Sequence, residues 1–206
     1  MISTEILQRP EFRLMRNGAT IAIDFDGTIA DTNVIKAEWI KNHLGFQVPP
    51  RKCDRTNCVP IIGSSNYETM ATFVCGKEGT NSAEPFPGAI QGIKTLALGF
   101  VLYVFTNRKA AQLAFAQKWL TTHSIREFFE AVISSADSEK SNLCRKYDGS
   151  ILIDDDLRNL SCCKNGKIRI VLFKPGPEDA KFPAAVLRVK TWPEFLKYVS
   201  GQTVSQ

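Results

Sequence analysis

The sequence predicts an α/β fold: a doubly wound, Rossmann-like parallel sheet with a small, mostly helical segment inserted after the first strand. Three observations predict it. Residues 19–25 form an apolar, partly β-branched run between Gly18 and Gly27, the pattern of a strand buried on both faces. From Pro87 onward, short apolar runs alternate with helical stretches, and that alternation builds a parallel sheet covered by helices on both sides. Between the two lie roughly 55 residues, 32–86, which follow neither rhythm and are too many for a simple crossover.

Each element follows from local signals. After the first strand a helix is predicted from about Asn33 to Leu44, ended by Gly45. Residues 46–65 break pattern at Pro49, Pro50, Pro60 and Gly63, and a short helix follows at about Asn66–Cys75 before a loop through Gly76, Gly79 and Pro85. The regular part then reads helix 88–98, strand 100–105, helix 109–122, strand 131–134, helix 139–147, strand 150–153, helix 157–163 and strand 168–173. A short strand near Ala185–Val189 and a helix from about Pro193 to Val199, with Thr191 as its cap, close the chain. The expected organisation is a core of residues 19–31 and 87–200, an inserted cap at 32–86, and an unassigned segment at 1–18.

Composition narrows the function classes without choosing one. With 206 residues, 44% apolar and 23% charged, the chain is long enough to bury one sizeable core and is not that of a disordered protein. The formal charge of +5 favours anionic partners: a small phosphorylated substrate needs no more, while nucleic acid is permitted but not favoured. No apolar run approaches the ~20 residues that span a bilayer and no signal peptide is evident, so a cytoplasmic location without membrane partners is expected. Cysteines 53, 58, 75, 144, 162 and 163 fit no zinc spacing and are expected as reduced thiols.

In open parallel sheets, ligands bind at the carboxyl ends of the strands. Four such places carry reactive residue types: Asp24 and Asp26 after the first strand, Thr106, Asn107 and Arg108 after the second, Lys140 at the helix after the third, and Asp154, Asp155 and Asp156 after the fourth. Carboxylates at neighbouring strand ends repel each other unless a cation sits between them. Magnesium suits the site, since it takes a few oxygen ligands and completes its shell with water and phosphate. A phosphate drawn to such a cation would meet Asp24 as a candidate nucleophile, Asp26 as a candidate acid and base, and Thr106 and Lys140 as neutralisers of phosphoryl charge.

Taken together, "DFDGT", the apolar strand ending in "FTNR", a lysine ahead of the fourth strand, and "LIDDD" resemble the four motifs of the haloacid dehalogenase (HAD) superfamily of phosphotransferases, over about Ile21 to Phe173. The resemblance implies a Mg²⁺-dependent phosphatase in which Asp24 forms a phosphoaspartate. Asp26 would be the general acid and base and would lend its backbone carbonyl to Mg²⁺; Thr106 would hold phosphate and Lys140 would neutralise charge. Asp154 would bind the metal, with Asp155 supporting it through metal-bound water. The insertion resembles the C1 caps of that superfamily, and "TNR", "IDDD" and "LRVKTWPEFLKYV" look most like the 5′(3′)-deoxyribonucleotidase-type, nucleotidase-like branch. The implied reaction is hydrolysis of small phosphate esters, nucleoside monophosphates among them; a phosphatase of nucleic-acid ends and a non-catalytic binding protein of the same fold are the alternatives.

Several residues keep two readings. Lys146 competes with Lys140 as the charge neutraliser. Thr106 can also cap the following helix, Asp31 can cap the helix after it or face the site, and Asp156 has a capping role. Arg108, like Asn107, is a candidate substrate contact. Arg51, Lys52 and Arg55 are either substrate-reading residues or a solvated basic loop, and Trp39, Tyr67, Phe73 and Phe86 either stack a base or form the core of the insertion. Substrate identity and oligomeric state are not encoded in any of these patterns.

Overall fold

The computed structural model describes residues 18–160, 168–176 and 186–203. A six-stranded sheet in the order β3-β2-β1-β4-β5-β6 is parallel throughout, with β1 Thr20–Ile23, β2 Val101–Thr106, β3 Phe129–Ser134, β4 Gly149–Asp154, β5 Arg169–Phe173 and β6 Leu187–Val189. The order reverses at β1, which pairs with β2 on one side and β4 on the other. That switch point is where an open α/β sheet leaves a crevice for ligands.

Both faces of the sheet are covered, as the uninterrupted apolar strands require. Ile21 and Ile23 enter a large cluster with Ile93, Leu120 and Phe195, whereas Ala22 packs on the other face with Leu143, Cys144 and Leu152. The covering helices are α5 Ala89–Leu96, α6 Ala110–Thr122, α7 Lys140–Lys146, α8 Leu157–Leu160 and α9 Trp192–Thr203. Thr191 accepts a hydrogen bond from the Glu194 amide at 3.3 Å, the cap expected of it. The indole of Trp192 donates to the Thr28 carbonyl at 3.0 Å and so fastens the loop after β1 to α9.

Between β1 and β2 the chain is more helical than the sequence suggests. α1 Thr32–Leu44 is followed by a 3₁₀ turn Pro50–Lys52 and then by α2 Arg55–Ile62, α3 Ser64–Val74 and α4 Lys77–Ser82. Two of these, α2 and α4, fall where broken pattern or loop is expected. In α2, Asp54 caps the first turn by accepting from the Asn57 amide at 3.1 Å and its side-chain amide at 2.8 Å, and buried Cys58 and Ile62 hold the far end, so Pro60 is tolerated. In α4, a Cβ at Gly79 would lie 2.6 Å from the Phe73 carbonyl oxygen; the glycine is there for close packing against the end of α3. The two ends of the inserted stretch run side by side: the Asp31 amide donates to the Glu84 carbonyl at 2.8 Å and the Phe86 amide to the Ile29 carbonyl at 2.9 Å.

The remaining expectations are met with small shifts. β3 begins at Phe129 rather than 131, and α9 runs from Trp192 to Thr203. The segment 1–17, Cys162, Cys163, Ala185 and the end of the helix expected at 157–163 lie outside the described residues. Cys53, Cys58 and Cys75 are free thiols, and burial pushes those of Cys53 and Cys75 up to about 12. Among the described residues no helix is long and apolar enough to cross a membrane.

Candidate active site

Four of the sequence-predicted residues meet at the carboxyl edge of β1 and β4. β4 ends on Asp154, fully buried, while Asp24 directly follows β1 with its amide bonded to the Ile153 carbonyl at 2.9 Å. Carboxylate oxygens of Asp24, Asp154 and Asp155 all lie within 4.8 Å of one another. Lys140, in the first turn of α7 and 2% exposed, donates to Asp24 and to Asp154, the latter at 2.6 Å. Lys146 stands in the last turn of α7 with its ammonium 5.3 Å from the Tyr147 ring centre, so Lys140 is the lysine that joins the acids.

The electrostatics of the group follow from burial and crowding. Burial raises the Asp24 pKa well above the aspartate value; Lys140 opposes the rise and the neighbouring carboxylates add to it. Burial also pushes Asp155 up to about 7, with Lys36 opposing and Asp154 adding to it. Burial works against a charged Lys140, yet Asp154 and Asp24 outweigh it and raise its pKa. Three hard oxygen donors this close, only partly neutralised by one ammonium, fit a small divalent cation in both geometry and donor chemistry.

Asp154 is the most firmly held. Its carboxylate also accepts from the Asp156 amide at 2.8 Å and from the Asn159 side chain at 3.1 Å. Asp156 turns away and accepts from the Arg158 amide at 2.9 Å, capping α8. Asp155 accepts from Asn33 at 3.3 Å, and Asn33 in turn accepts from Lys36 at 2.9 Å.

Asp26 lies apart from the cluster of three. Its two carboxylate oxygens accept Nε and Nη2 of Arg108, each at 2.8 Å, and Oδ2 also accepts the Thr106 hydroxyl at 3.3 Å. Burial alone would raise the Asp26 pKa, but the Arg108 charge and hydrogen bonds outweigh it and lower it. Arg108, considered from sequence as a substrate contact, has a fully buried side chain whose guanidinium is taken up by protein groups and lies 4.8 Å from the Phe25 ring centre. Thr106 likewise does not cap α6; its hydroxyl sits between Asp26 and the Arg108 amide. Asn107 is exposed, accepts from the Ser135 hydroxyl at 2.6 Å and donates to Asn159 at 3.4 Å.

Lys36 and Asn33 escape sequence reasoning, although their i, i+3 spacing on α1, directly after the first pair of aspartates, is the signal that could have found them. Burial disfavours a charged Lys36, yet Tyr67, Asp155 and Asp26 outweigh it and raise its pKa. Arg55 pairs with Glu68 over the Tyr67 ring, and Lys52 is exposed. Trp39 and Tyr67 are buried, whereas Phe73 is exposed on the outside of the insertion.

No protein-family model matches the sequence, and a search of curated proteins finds no match. Solved structures do match over nearly the whole chain. A haloacid dehalogenase-like family hydrolase from Streptococcus pneumoniae superposes with a TM-score of 0.63 at 19% identity, covering 88% of this chain and 98% of that one. The fold is that of the haloacid dehalogenase-like hydrolases. A protein from Haemophilus somnus described as a predicted phosphoglycolate phosphatase gives 0.63 at 15% identity over 90% and 99% of the two chains. The magnesium-bound HAD-type hydrolase YfnB from Bacillus subtilis gives 0.57 at 14% identity over 89% and 99%.

Two cavities flank the acids in this haloacid dehalogenase-like fold. One of about 450 Å³ reaches Lys140 and Asn107 and is walled by Ser135, Ser138 and Asn159. The other, about 290 Å³, opens beside Asp155 between Arg51 and Phe86 of the insertion and Phe173 of the core; Asp31 lines it, and burial raises its carboxyl pKa against the hydrogen bonds of the Val34 and Asn33 amides in the first turn of α1.

Proposed function

We propose that the protein is a Mg²⁺-dependent phosphomonoesterase that works through a phosphoaspartate on Asp24. The observation that carries this reading is the buried cluster of Asp24, Asp154 and Asp155 bridged by Lys140 at the switch point of the sheet. The neighbours point the same way, one described as a predicted phosphoglycolate phosphatase and one solved with magnesium.

In this reading Asp24, Asp154, Asp155 and the backbone carbonyl of Asp26 would hold Mg²⁺. When bound, it would balance the acids and make room for the charge of a phosphate. A carboxylate oxygen of Asp24 attacks phosphorus; the bond from phosphorus to the ester oxygen breaks, and the departing alcohol takes a proton from Asp26, whose protonated form has to be reached against the charge of Arg108. Water then attacks the same phosphorus, the bond to Asp24 breaks, Asp26 takes the water's proton, and inorganic phosphate leaves. Lys140 and the Thr106 hydroxyl neutralise the phosphoryl oxygens through both steps, with Asn107 beside them. The helices of residues 32–86 act as a cap over this edge, a reading supported by Asn33 of α1 donating to Asp155, with Lys36 bonded to Asn33 behind it.

The substrate is a small phosphate ester, with nucleoside monophosphates the finer reading. Its support is the cavity beside Asp155, where half-buried Phe86, backed by the buried ring of Phe173 at 5.0 Å, offers a ring to a base while the polar cavity beside Lys140 offers hydroxyl partners to a sugar. A panel of nucleoside monophosphates and sugar phosphates, assayed for phosphate release with Mg²⁺ and with EDTA, tests both levels. Turnover that needs the metal and disappears in Asp24→Asn is expected; turnover surviving EDTA or Asp24→Asn overturns the mechanism. A preference for sugar phosphates unaffected by Phe86→Ala overturns the finer reading alone.

A further inference from the structure

The hydrogen bonds of Arg108 do not stop at Asp26. Its Nη1 donates to the Thr80 hydroxyl at 2.6 Å and to the Cys75 carbonyl at 3.3 Å, both in the inserted helices, and Thr80 in turn donates to the Val74 carbonyl at 3.3 Å. Thr80 is fully buried, and the Arg108 backbone is itself fixed, its amide donating to Thr106 and its carbonyl accepting from Ser134 at 2.7 Å. One rigid planar group therefore spans from the α3–α4 junction to the carboxylate of Asp26.

We propose that Arg108 and Thr80 are positioning residues, through which the inserted helices set the orientation of the Asp26 carboxyl group. The inference rests on Asp26 being the proton carrier of the proposed reaction. A carboxylate has about four acceptor positions, and the Arg108 fork and Thr106 occupy three of them. The fourth remains, and the Asp26 side chain keeps 20% of its surface open while that of Arg108 keeps none. The Thr106 contact places the same carboxyl beside the hydroxyl that would hold phosphate. The guanidinium thus presents Asp26 to the ester oxygen and leaves the proton-carrying position accessible. It does so only while the α3–α4 junction is seated on the core, because Thr80 and Cys75 take up the third arm of the guanidinium.

The test uses leaving groups of different quality. An alkyl phosphate needs its departing oxygen protonated, whereas p-nitrophenyl phosphate releases a stable phenolate and needs little such help. Thr80→Val removes the hydroxyl at nearly constant volume and leaves Asp26, Arg108 and the metal ligands in the chain. We expect kcat on the alkyl ester to fall at least about tenfold more than kcat on p-nitrophenyl phosphate, within the ~10²–10⁴-fold that general acid catalysis supplies. KM should change little, and Thr80→Ser should restore the lost selectivity. Arg108→Lys, which keeps the charge and loses the fork, should show the same pattern more strongly. Equal losses on the two esters overturn the proposal, as does no loss; a gain on the alkyl ester also overturns it, since Arg108 would then be restraining Asp26. Asp24→Asn, assayed alongside, separates the two levels: if it abolishes both activities while Thr80→Val is unselective, the positioning role fails and the phosphatase reading stands.

Discussion

Replacing Lys140 by methionine isolates the electrostatic problem of the site. The ammonium touches two carboxylates, and the three side chains are 1%, 6% and 0% exposed for Lys140, Asp24 and Asp154. Removing one partner from a buried charge group costs about 3–5 kcal/mol, because the remaining charges stay buried without compensation. For a chain of this size each kcal/mol moves the melting temperature by ~2–4 °C, so a fall of roughly 6–20 °C is expected in EDTA. The cost depends on pH in a defined direction. The Asp24 pKa is already raised by burial and rises further without Lys140, so below that pKa the acid takes up a proton and the penalty shrinks. The gap between wild type and Lys140→Met should therefore be wide at pH 8 and narrow at pH 5. Millimolar Mg²⁺ should narrow it again at pH 8 by supplying the missing positive charge. Calorimetry at the two pH values, with and without metal, reads all three effects. A gap under about 1 kcal/mol in EDTA at pH 8, the size of an exposed ion pair, would refute the reasoning, as would a gap that widens toward acid.

Three further substitutions probe the frame around the acids. Asp54 joins the cap of α2 to Lys174 at 2.9 Å, and although burial opposes it, hydrogen bonds from Asn57 and Lys174 hold its carboxyl below the ordinary value. Such stability is present above the ordinary aspartate pKa and lost as pH falls through the lowered one, so Asp54→Asn should cost about 1–3 kcal/mol at pH 7 in urea titration and progressively less below pH ~4. Gly27 has φ +83°, and a Cβ there would lie 2.2 Å from Asp155 Oδ2; Gly27→Ala should displace that carboxylate and weaken Mg²⁺-dependent stabilisation in thermal melts more than it lowers metal-free stability. At Gly92 an added methyl would meet the Trp192 ring at 2.6 Å, so Gly92→Ala should cost about 1–3 kcal/mol by overpacking and lower phosphate release by moving the indole that holds the Thr28 loop.

What the sequence reveals and conceals has a physical pattern. Strand ends are legible because apolar runs stop abruptly at charged residues, and the sheet then brings Asp24 and Asp154, 130 positions apart, to one edge. Lys140 is legible because the first turn after a parallel strand must lie on that edge. The helices α2 and α4 are concealed because Pro60 and Gly79 argue against them locally, while the Asp54 cap and packing against α3 argue for them only in three dimensions. Arg108 is concealed most deeply. It lies in "TNRK", two residues after a phosphate-binding candidate, yet its partners are 82 and 28 positions away, and no pattern in one sequence specifies those pairings.

The paired ends of the inserted stretch, where Asp31 meets Glu84 and Ile29 meets Phe86, make a neck only two hydrogen bonds wide. To the sheet, everything beyond that neck is one closed loop, and the entropy of closing a loop grows slowly, by about 0.6 kcal/mol for each doubling of length. The length of the segment therefore weighs little on the strands beneath; what ties it to them is packing, since Trp39, Ile40, Met70 and Val74 belong to the same buried cluster as Ile21 and Ile23. The polar contacts that would register a change in the segment include Asn33 on Asp155, Lys174 on Asp54, the Trp119 indole on the Ala83 carbonyl and the third arm of Arg108.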